Sequence, residues 1–280
     1  MNKLSTERQA QIIKVLCEGN SIRSTARITD TSINTVIKLL REVGAACLKY
    51  QDETLRNLSC KRIECDEIWS FCYAKERNVP EDKQGQFGYG NVWTFVAIDA
   101  DTKLALSWLV GKRELEDAYE FAKDIKERLA NRVQLTTDGH KMYYEATEDT
   151  FGADIDYAIL VKLYGKSEPG AEGKYSPPKC ISAKAKRISG SPDLSKASTS
   201  YVERQNLTMR MNMRRFTRLT NGFSKKVENH MFAIALYFMH YNFVKTHSTL
   251  ANPYPRTPAM ASGITDHIGS AQEIVQLLTT

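Results

Sequence analysis

The order of apolar patterns across residues 61–165 constrains the fold of this chain more than any other feature. RIECDEIWSFCYA (62–74) is rich in strand-forming residues, and NVWTFVAIDADTKLALSWLVG (91–111) predicts two strands around a turn. An amphipathic helix over 114–130, a strand over 133–138, a helix over 140–147 and a strand beginning DYAILVKLYG follow. Three strands followed by alternating helices and strands predict an α/β fold, with a mixed sheet flanked by helices.

Length and composition agree with a folded protein of this kind. The chain has 280 residues, of which 42% are hydrophobic, and it carries a net charge of +6. This length allows one large domain and a small one. Its apolar runs are too short to span a bilayer. We therefore expect a cytoplasmic protein with free thiols. Cys60, Cys65 and Cys72 have no zinc-site spacing and are predicted to be strand cysteines.

The first 45 residues predict an all-α helix-turn-helix module. Ser21 and Ser32 are positioned to cap the second and third of three short helices. The third helix would read DNA through Asn34, Thr35 and Lys38, which suit an adenine edge, a thymine methyl and a phosphate or guanine. A helical bundle used for protein contacts is the alternative. Residues 46–60 are predicted to be a linker.

A basic stretch lies near the C-terminal end of the predicted sheet domain. Residues 199–226 contain seven bases and one acid, Glu203. Residues 199–216 are predicted to form one long helix, and the preceding segment, 165–198, is predicted to be a basic loop. Such a surface suits a phosphate backbone, although a solvated helix face is the alternative. The candidate DNA-binding residues here are Arg204, Arg210, Arg214 and Arg215.

Three carboxylates are positioned to form a metal site. Asp66 lies in the first strand, Asp138 ends a later strand, and Glu203 begins the long helix. Strand ends and following helices meet at the carboxyl edge of such a sheet. Carboxylates that converge there would repel one another unless divalent cations such as Mg²⁺ were bound. Two ions in such a site can support phosphoryl transfer.

Other acids compete with this assignment, and any three acids of the chain could equally be unrelated surface residues. Glu67 is one competitor. Glu64 shares the strand face of Asp66 and is set aside as a candidate for a salt bridge. Asp99 and Asp101 are predicted to be turn residues.

Three motifs resemble a known family. CDEIWSF, TTDGHKMY and SYVERQNLTMRMNMRRFTRLTNGFSKK are similar to insertion-sequence transposases of the IS1 group, within the DDE transposases that have a ribonuclease-H-like catalytic domain. The ending HYNFVKTHSTLANPYPRTPAMASGI is also similar. The resemblance covers about residue 61 to the C-terminus, with a catalytic domain over 61–245 and a tail over 246–280. The chain departs from the group in lacking an N-terminal zinc-binding cysteine pattern.

The resemblance implies roles for particular residues and partners. Asp66, Asp138 and Glu203 would be the catalytic, metal-binding triad, and Arg210 would contact terminal DNA. The implied cofactor is a pair of Mg²⁺ ions, for which Mn²⁺ can substitute. The implied partners are double-stranded DNA, as terminal inverted repeats and as target, and at least one further copy of the chain. The setting would be prokaryotic and nucleoid-associated.

Two other functions are compatible with the same residues. One is a structure-specific nuclease with a ribonuclease-H-like fold, which hydrolyses DNA without joining it. The other is a helix-turn-helix regulator whose catalytic domain is inactive. Strand transfer of pre-cut DNA ends distinguishes the transposase from both.

Overall fold

The N-terminal region consists of three helices. The structure, a computed structural model, describes residues 4–165, 180–217 and 220–279. The helices are α1 (Thr6–Cys17), α2 (Ile22–Ile28) and α3 (Ile33–Thr54). The Ser21 hydroxyl accepts the N–H of Ser24, and the Ser32 hydroxyl accepts the N–H of Thr35. Both predicted helix caps are therefore confirmed.

Helix α3 crosses the predicted boundary between the N-terminal module and the linker. It continues to Thr54, so most of the predicted 46–60 linker is helical. The reason is packing: α3 lies against a later helix, α7 (Val227–Met239), with Cys47 and Gln51 buried. At the crossing, a Cβ on Gly44 would lie 2.5 Å from the Cβ of Phe232, so only glycine allows this approach. The three helices thus share a core with the rest of the chain.

The predicted strands and helices of the central region are present. They are β1 (Arg62–Cys72), β2 (Gly90–Asp99), β3 (Ala105–Gly111), α4 (Leu115–Arg128), β4 (Gln134–Asp138), α5 (Lys141–Phe151), β5 (Asp156–Tyr164) and β6 (Cys180–Ser189). Cys65 and Cys72 are buried on β1, and Cys60 is buried two residues before it. Asp99 and Asp101 lie at the β2–β3 turn, as expected, and the Asp99 carboxylate accepts two backbone N–H groups there.

The six strands form one mixed sheet in the order β3-β2-β1-β4-β5-β6. Strand β1 pairs antiparallel with β2 and parallel with β4, and β4 pairs parallel with β5. The carboxyl ends of β1, β4 and β5 therefore point toward the same edge. This arrangement, with helices packed on the sheet, is compatible with the predicted ribonuclease-H-like fold.

The predicted basic loop over residues 165–198 is wrong in part. Residues 180–189 form strand β6, which pairs antiparallel with β5 at the edge of the sheet. Its side chains are mostly exposed, so it lacks the apolar alternation that identifies a half-buried strand. Residues 166–179 of the predicted loop lie outside the described residues, and with them Lys166, Lys174 and Lys179.

The predicted helix over residues 199–216 is shorter in the structure. Helix α6 covers Ser200–Asn212 and ends at Met213, whose backbone is extended, with φ −126° and ψ 109°. A separate short 3-10 turn covers Arg214–Phe216. Glu203 and Arg210 therefore remain on one helix, whereas Arg214 does not share that helix face.

The C-terminal region packs back onto the N-terminal helices. Helix α8 (Pro258–Ala261) is followed by α9 (Ala271–Gln276), which packs against α1. Asn242, which is fully buried, donates to and accepts from the backbone of Ala105 on β3. The described part of the predicted tail, residues 246–279, is thus packed onto the N-terminal helices through α9. None of the helices in the described ranges is long and apolar enough to cross a membrane.

Candidate metal centre and nucleic-acid surface

Three acids from neighbouring strands meet at the carboxyl end of β4, beside the middle of β1. Asp66 and Glu67 lie on β1, and Asp138 is the last residue of β4. One carboxylate oxygen from each lies within 4.8 Å of the others. The structure therefore brings together two of the three predicted carboxylates, Asp66 and Asp138, which are 72 residues apart in the sequence.

Glu67 is held by two partners on the side of the sheet that faces α4 and α5. Its carboxylate forms an ion pair with Arg113 and accepts a hydrogen bond of 2.9 Å from the hydroxyl of Tyr143 on α5. Burial raises the pKa of Glu67, the charge of Asp138 raises it further, and Arg113 opposes both effects. Glu67 is thus a buried acid whose two oxygens already have protein partners.

Asp66 has much less compensation. Its side chain accepts a hydrogen bond of 2.9 Å from the amide of Asn206 on α6, and a hydrogen bond to the backbone of Glu67 also lowers its pKa. Burial raises the pKa of Asp66 to about 7, and the charges of Glu67 and Asp138 contribute in the same direction. Asp138 accepts the backbone N–H of His140 at 3.0 Å. No ion pair is found for Asp66 or Asp138 among the described residues.

Glu203 lies on the first turn of α6, outside the group of three acids. Its carboxylate forms an ion pair with Lys162 of β5 and accepts a hydrogen bond from the Thr199 hydroxyl. The side chain is 44% exposed. Asn206, one turn further along the same helix, contacts Asp66. Helix α6 therefore touches the group of three acids through Asn206. Glu203, the third predicted carboxylate, is bonded to Lys162 instead.

Glu64 has a different role from the salt bridge suggested by its position. It is 3% exposed, and one oxygen accepts the backbone N–H groups of Tyr201 at 2.7 Å and Val202 at 3.2 Å. These groups belong to the first turn of α6, where helical N–H groups have no partner within the helix. Burial raises the pKa of Glu64, and the N–H groups of Val202 and Tyr201 oppose that rise.

The acids fit a hard divalent cation. Asp66 and Asp138 offer oxygen ligands, and burial, with repulsion from the neighbouring acids, disfavours the charged form of Asp66 and raises its pKa. Mg²⁺ and Mn²⁺ take oxygen ligands, and a divalent charge between the two side chains would offset the repulsion. Asp66 and Asp138 are the first candidates to hold an ion, because Glu67 is already bonded to Arg113 and Tyr143.

The predicted DNA-reading residues lie at the start of α3. Asn34 and Lys38 are exposed, and Lys38 forms an exposed ion pair of 3.7 Å with Glu42. Thr35 is half-buried, and its hydroxyl lies 2.8 Å from that of Ser32. The hydroxyl of Thr35 therefore takes part in the helix cap, whereas Asn34 and Lys38 face solvent.

The four predicted DNA-binding arginines differ in exposure. Arg204 on α6 and Arg214 in the following turn are exposed, and Arg210 is half-buried. Arg215 is half-buried and donates a hydrogen bond of 2.6 Å to the Ser224 hydroxyl. The Ser224 hydroxyl also lies 3.1 Å from Nδ1 of the buried His230 and so links Arg215 to that ring. Arg215 is therefore bonded within the protein rather than freely presented at the surface.

Three residues bond to a candidate ligand or to the helix that carries one, although the sequence did not assign them this role. They are Glu64, Lys162 and Asn206. For Glu64 a signal existed: strand period places it on the same face as Asp66. For Lys162 and Asn206 no local signal exists, because their partners are 41 and 140 residues away.

Comparison with known proteins gives only distant likenesses. No protein-family model and no curated protein matches this chain. Among solved structures, the Mos1 mariner paired-end complex with Mn has a TM-score of 0.25 and 12% identity, over 56% of this chain and 60% of that chain. The piggyBac transposase synaptic complex with hairpin DNA has a TM-score of 0.40 and 11% identity, over 99% of this chain and 71% of that chain. The Mos1 strand transfer complex has a TM-score of 0.25 and 10% identity, over 85% of this chain and 76% of that chain.

The chain therefore spans 60% of the length of the first of these structures. Similarities this low do not assign a function to the present protein.

Proposed function

We propose that this protein is a metal-dependent DNA transposase, which cleaves the ends of its own element and joins the 3′-hydroxyl ends to target DNA. One observation carries the proposal: Asp66 and Asp138, far apart in the sequence, have carboxylate oxygens within 4.8 Å of each other at the sheet edge. The motifs around these acids also resemble insertion-sequence transposases. The finer assignment to the IS1 group is part of the proposal.

In this proposal Asp66 and Asp138 hold the metal, and Glu203 completes the triad once it releases Lys162. Two Mg²⁺ ions bound there would activate the attacking oxygen and stabilise the leaving oxygen of a phosphodiester. The side chains of this chain contribute position: β1 and β4 fix the two aspartates, and α6 brings Glu203 to the same edge. Phosphoryl transfer of this kind depends mainly on positioning and charge neutralisation.

The surface beside the acids supports DNA as the substrate. Arg204 and Arg214 are exposed on or just after α6, and Arg210 lies on the same helix as Glu203. A carboxylate among these bases is expected where a metal and a phosphate lie side by side. Asn34 and Lys38 on α3 would contact the terminal repeats, and paired cleavage of two ends would need at least a dimer. These assignments, like a nucleoid-associated setting, remain proposals.

Strand transfer with DNA from both flanks of the protein's own gene tests the proposal. Duplexes pre-cut at the element ends are incubated with a target plasmid and Mg²⁺ or Mn²⁺. We expect joined products with the wild type and none with Asp138→Asn. Cleavage without joining would favour the nuclease, and binding without any cleavage would favour the regulator. Joining that survives in Asp138→Asn would remove the metal assignment.

A further inference from the structure

The start of helix α6 is capped in an unusual way. The N-cap residue Thr199 makes no side-chain hydrogen bond to the helix backbone. An N-cap threonine ordinarily accepts an N–H of the first turn. Here its hydroxyl donates to Glu203 instead. The first turn of α6 therefore needs another acceptor.

That acceptor is Glu64 of β1. It accepts the second and third N–H groups of the helix, from Tyr201 at 2.7 Å and Val202 at 3.2 Å. The first, from Ser200, goes to the Ser198 hydroxyl at 3.0 Å. A carboxylate at this position also interacts favourably with the positive end of the helix dipole. The contact is buried, since Glu64 is 3% exposed.

A second contact fixes α6 on the same strand. The Asn206 side chain, 4% exposed, donates to Asp66 at 2.9 Å. Glu64 and Asp66 are two residues apart on one face of β1. Glu203 lies between the two contacts on α6, so its position relative to Asp66 depends on both.

Resting on the proposed function, we propose that Glu64 is a positioning residue of the metal site. By capping α6 from β1, it sets where Glu203 stands relative to Asp66, and it releases the Thr199 hydroxyl to orient the Glu203 carboxylate. One oxygen of Glu64 accepts the N–H groups of Tyr201 and Val202, so in this proposal Glu64 acts on the metal site through α6. Strand β1, which carries Asp66, thus also sets the position of Glu203 through Glu64.

Mn²⁺ titration of the full-length protein by calorimetry, with thermal unfolding of each variant, tests this role. Glu64→Ala removes the acceptor, and we expect the Mn²⁺ dissociation constant to rise about 10-fold or more. Glu64→Gln keeps an acceptor oxygen at the same reach, so affinity should stay within about 3-fold of the wild type. Hydrogen exchange should show faster exchange at Tyr201 and Val202 in Glu64→Ala only.

A matched control separates positioning from general loosening. Asp99 is also buried and also accepts two backbone N–H groups, but in the β2–β3 turn. Asp99→Ala should lower the melting temperature as Glu64→Ala does and leave Mn²⁺ affinity unchanged. An equal loss of affinity in both variants would overturn the proposal. If Glu64→Ala does not fold, Glu64→Asp replaces it. The shorter side chain of Asp should also weaken Mn²⁺ binding, and wild-type affinity in Glu64→Asp would overturn the proposal.

A double-mutant cycle with Glu203 gives the sharpest outcome. If Glu64 acts through Glu203, then Glu64→Ala should lower affinity little further in a Glu203→Ala background. Additive losses would overturn the proposal. Asp138→Ala distinguishes this failure from failure of the proposed function. If Mn²⁺ binding survives in Asp138→Ala, the metal site itself is refuted. If Asp138→Ala loses Mn²⁺ binding but Glu64→Ala binds Mn²⁺ with wild-type affinity, only the positioning role is refuted.

Discussion

The two sides of strand β1 present acids with different surroundings. On the side of α4 and α5, Glu67 is paired with Arg113 and bonded to Tyr143. On the side of α6, Asp66 accepts a hydrogen bond from the Asn206 amide and has no ion pair among the described residues. Burial alone does not separate these acids, because the pKa is raised on both sides. An acid that is available to bind a cation is therefore distinguished by having no ion-pair partner of its own.

The largest expected effect is on catalysis. Asp66→Asn and Asp138→Asn should each slow metal-dependent cleavage of DNA by about 10³-fold, because an uncharged amide is a poor ligand for Mg²⁺. Nicking of supercoiled plasmid, followed over time in Mn²⁺, measures this loss. The same variants should retain the wild-type circular dichroism spectrum. Near-normal cleavage by either variant would show that the substituted aspartate does not bind the catalytic metal.

The second effect is on stability, on the other side of the strand. Glu67→Ala should reduce the free energy of unfolding by about 2 kcal/mol, because it leaves Arg113 and the buried Tyr143 hydroxyl without their acceptor. Urea denaturation measures the change. Asp66→Asn is the control and should not destabilise the protein at pH 8. A Glu67→Ala variant as stable as the wild type would mean that Arg113 and Tyr143 do not hold this acid.

The third effect is a pH dependence from Asp66. Its pKa of about 7 in the folded, metal-free protein lies above the ordinary value of 3.8. The folded state therefore binds this proton more tightly, and the resulting stability is present below about pH 4 and is lost as the pH rises through about 7. Asp66→Asn should match the wild type at pH 4 and melt roughly 4 °C higher at pH 8.

Thermal unfolding at the two pH values, in chelator and then in Mg²⁺, checks this dependence. Mg²⁺ should remove much of the deficit of the wild type at pH 8 and leave Asp66→Asn unchanged. A wild type that melts with or above the variant at pH 8 in chelator would contradict the raised pKa.

The smallest effect concerns Lys162, which is bonded to Glu203. Lys162→Met should tighten Mn²⁺ binding by about 2- to 5-fold, because a partly exposed ion pair that competes with the cation is removed. Titration calorimetry without DNA measures the change, with Lys196→Met as control, since Lys196 pairs with Asp193 away from the acids. Unchanged or weaker Mn²⁺ binding would show that Glu203 does not serve the cation.

Local pattern was sufficient for the elements that carry the two aspartates. Strands β1 and β4 are runs of strand-forming residues with clear ends, and Asp138 directly precedes Gly139. The end of α6 was not predictable, because MRMNMRRF contains no helix breaker. Asn212 bonds back to Thr208, and the buried Met213 takes an extended backbone there. Tertiary packing therefore decided that boundary.

Long-range contacts account for the other differences. Gly44 lies close to the predicted start of the linker, yet it is where Phe232 of α7 packs against α3. Strand β6 has the composition of a basic loop and is ordered as a strand by pairing with β5. The role of Glu64 depends on backbone groups 137 and 138 residues away, which no local pattern contains.

Anomalous diffraction from crystals of the protein soaked in Mn²⁺ would locate the bound cation. We expect a manganese peak at bonding distance from carboxylate oxygens of both Asp66 and Asp138, with Glu67 still bonded to Arg113 and Tyr143. If the crystals are ordered at saturating Mn²⁺ but show no peak between these two aspartates, or a peak only at other residues, Asp66 and Asp138 do not form the metal site.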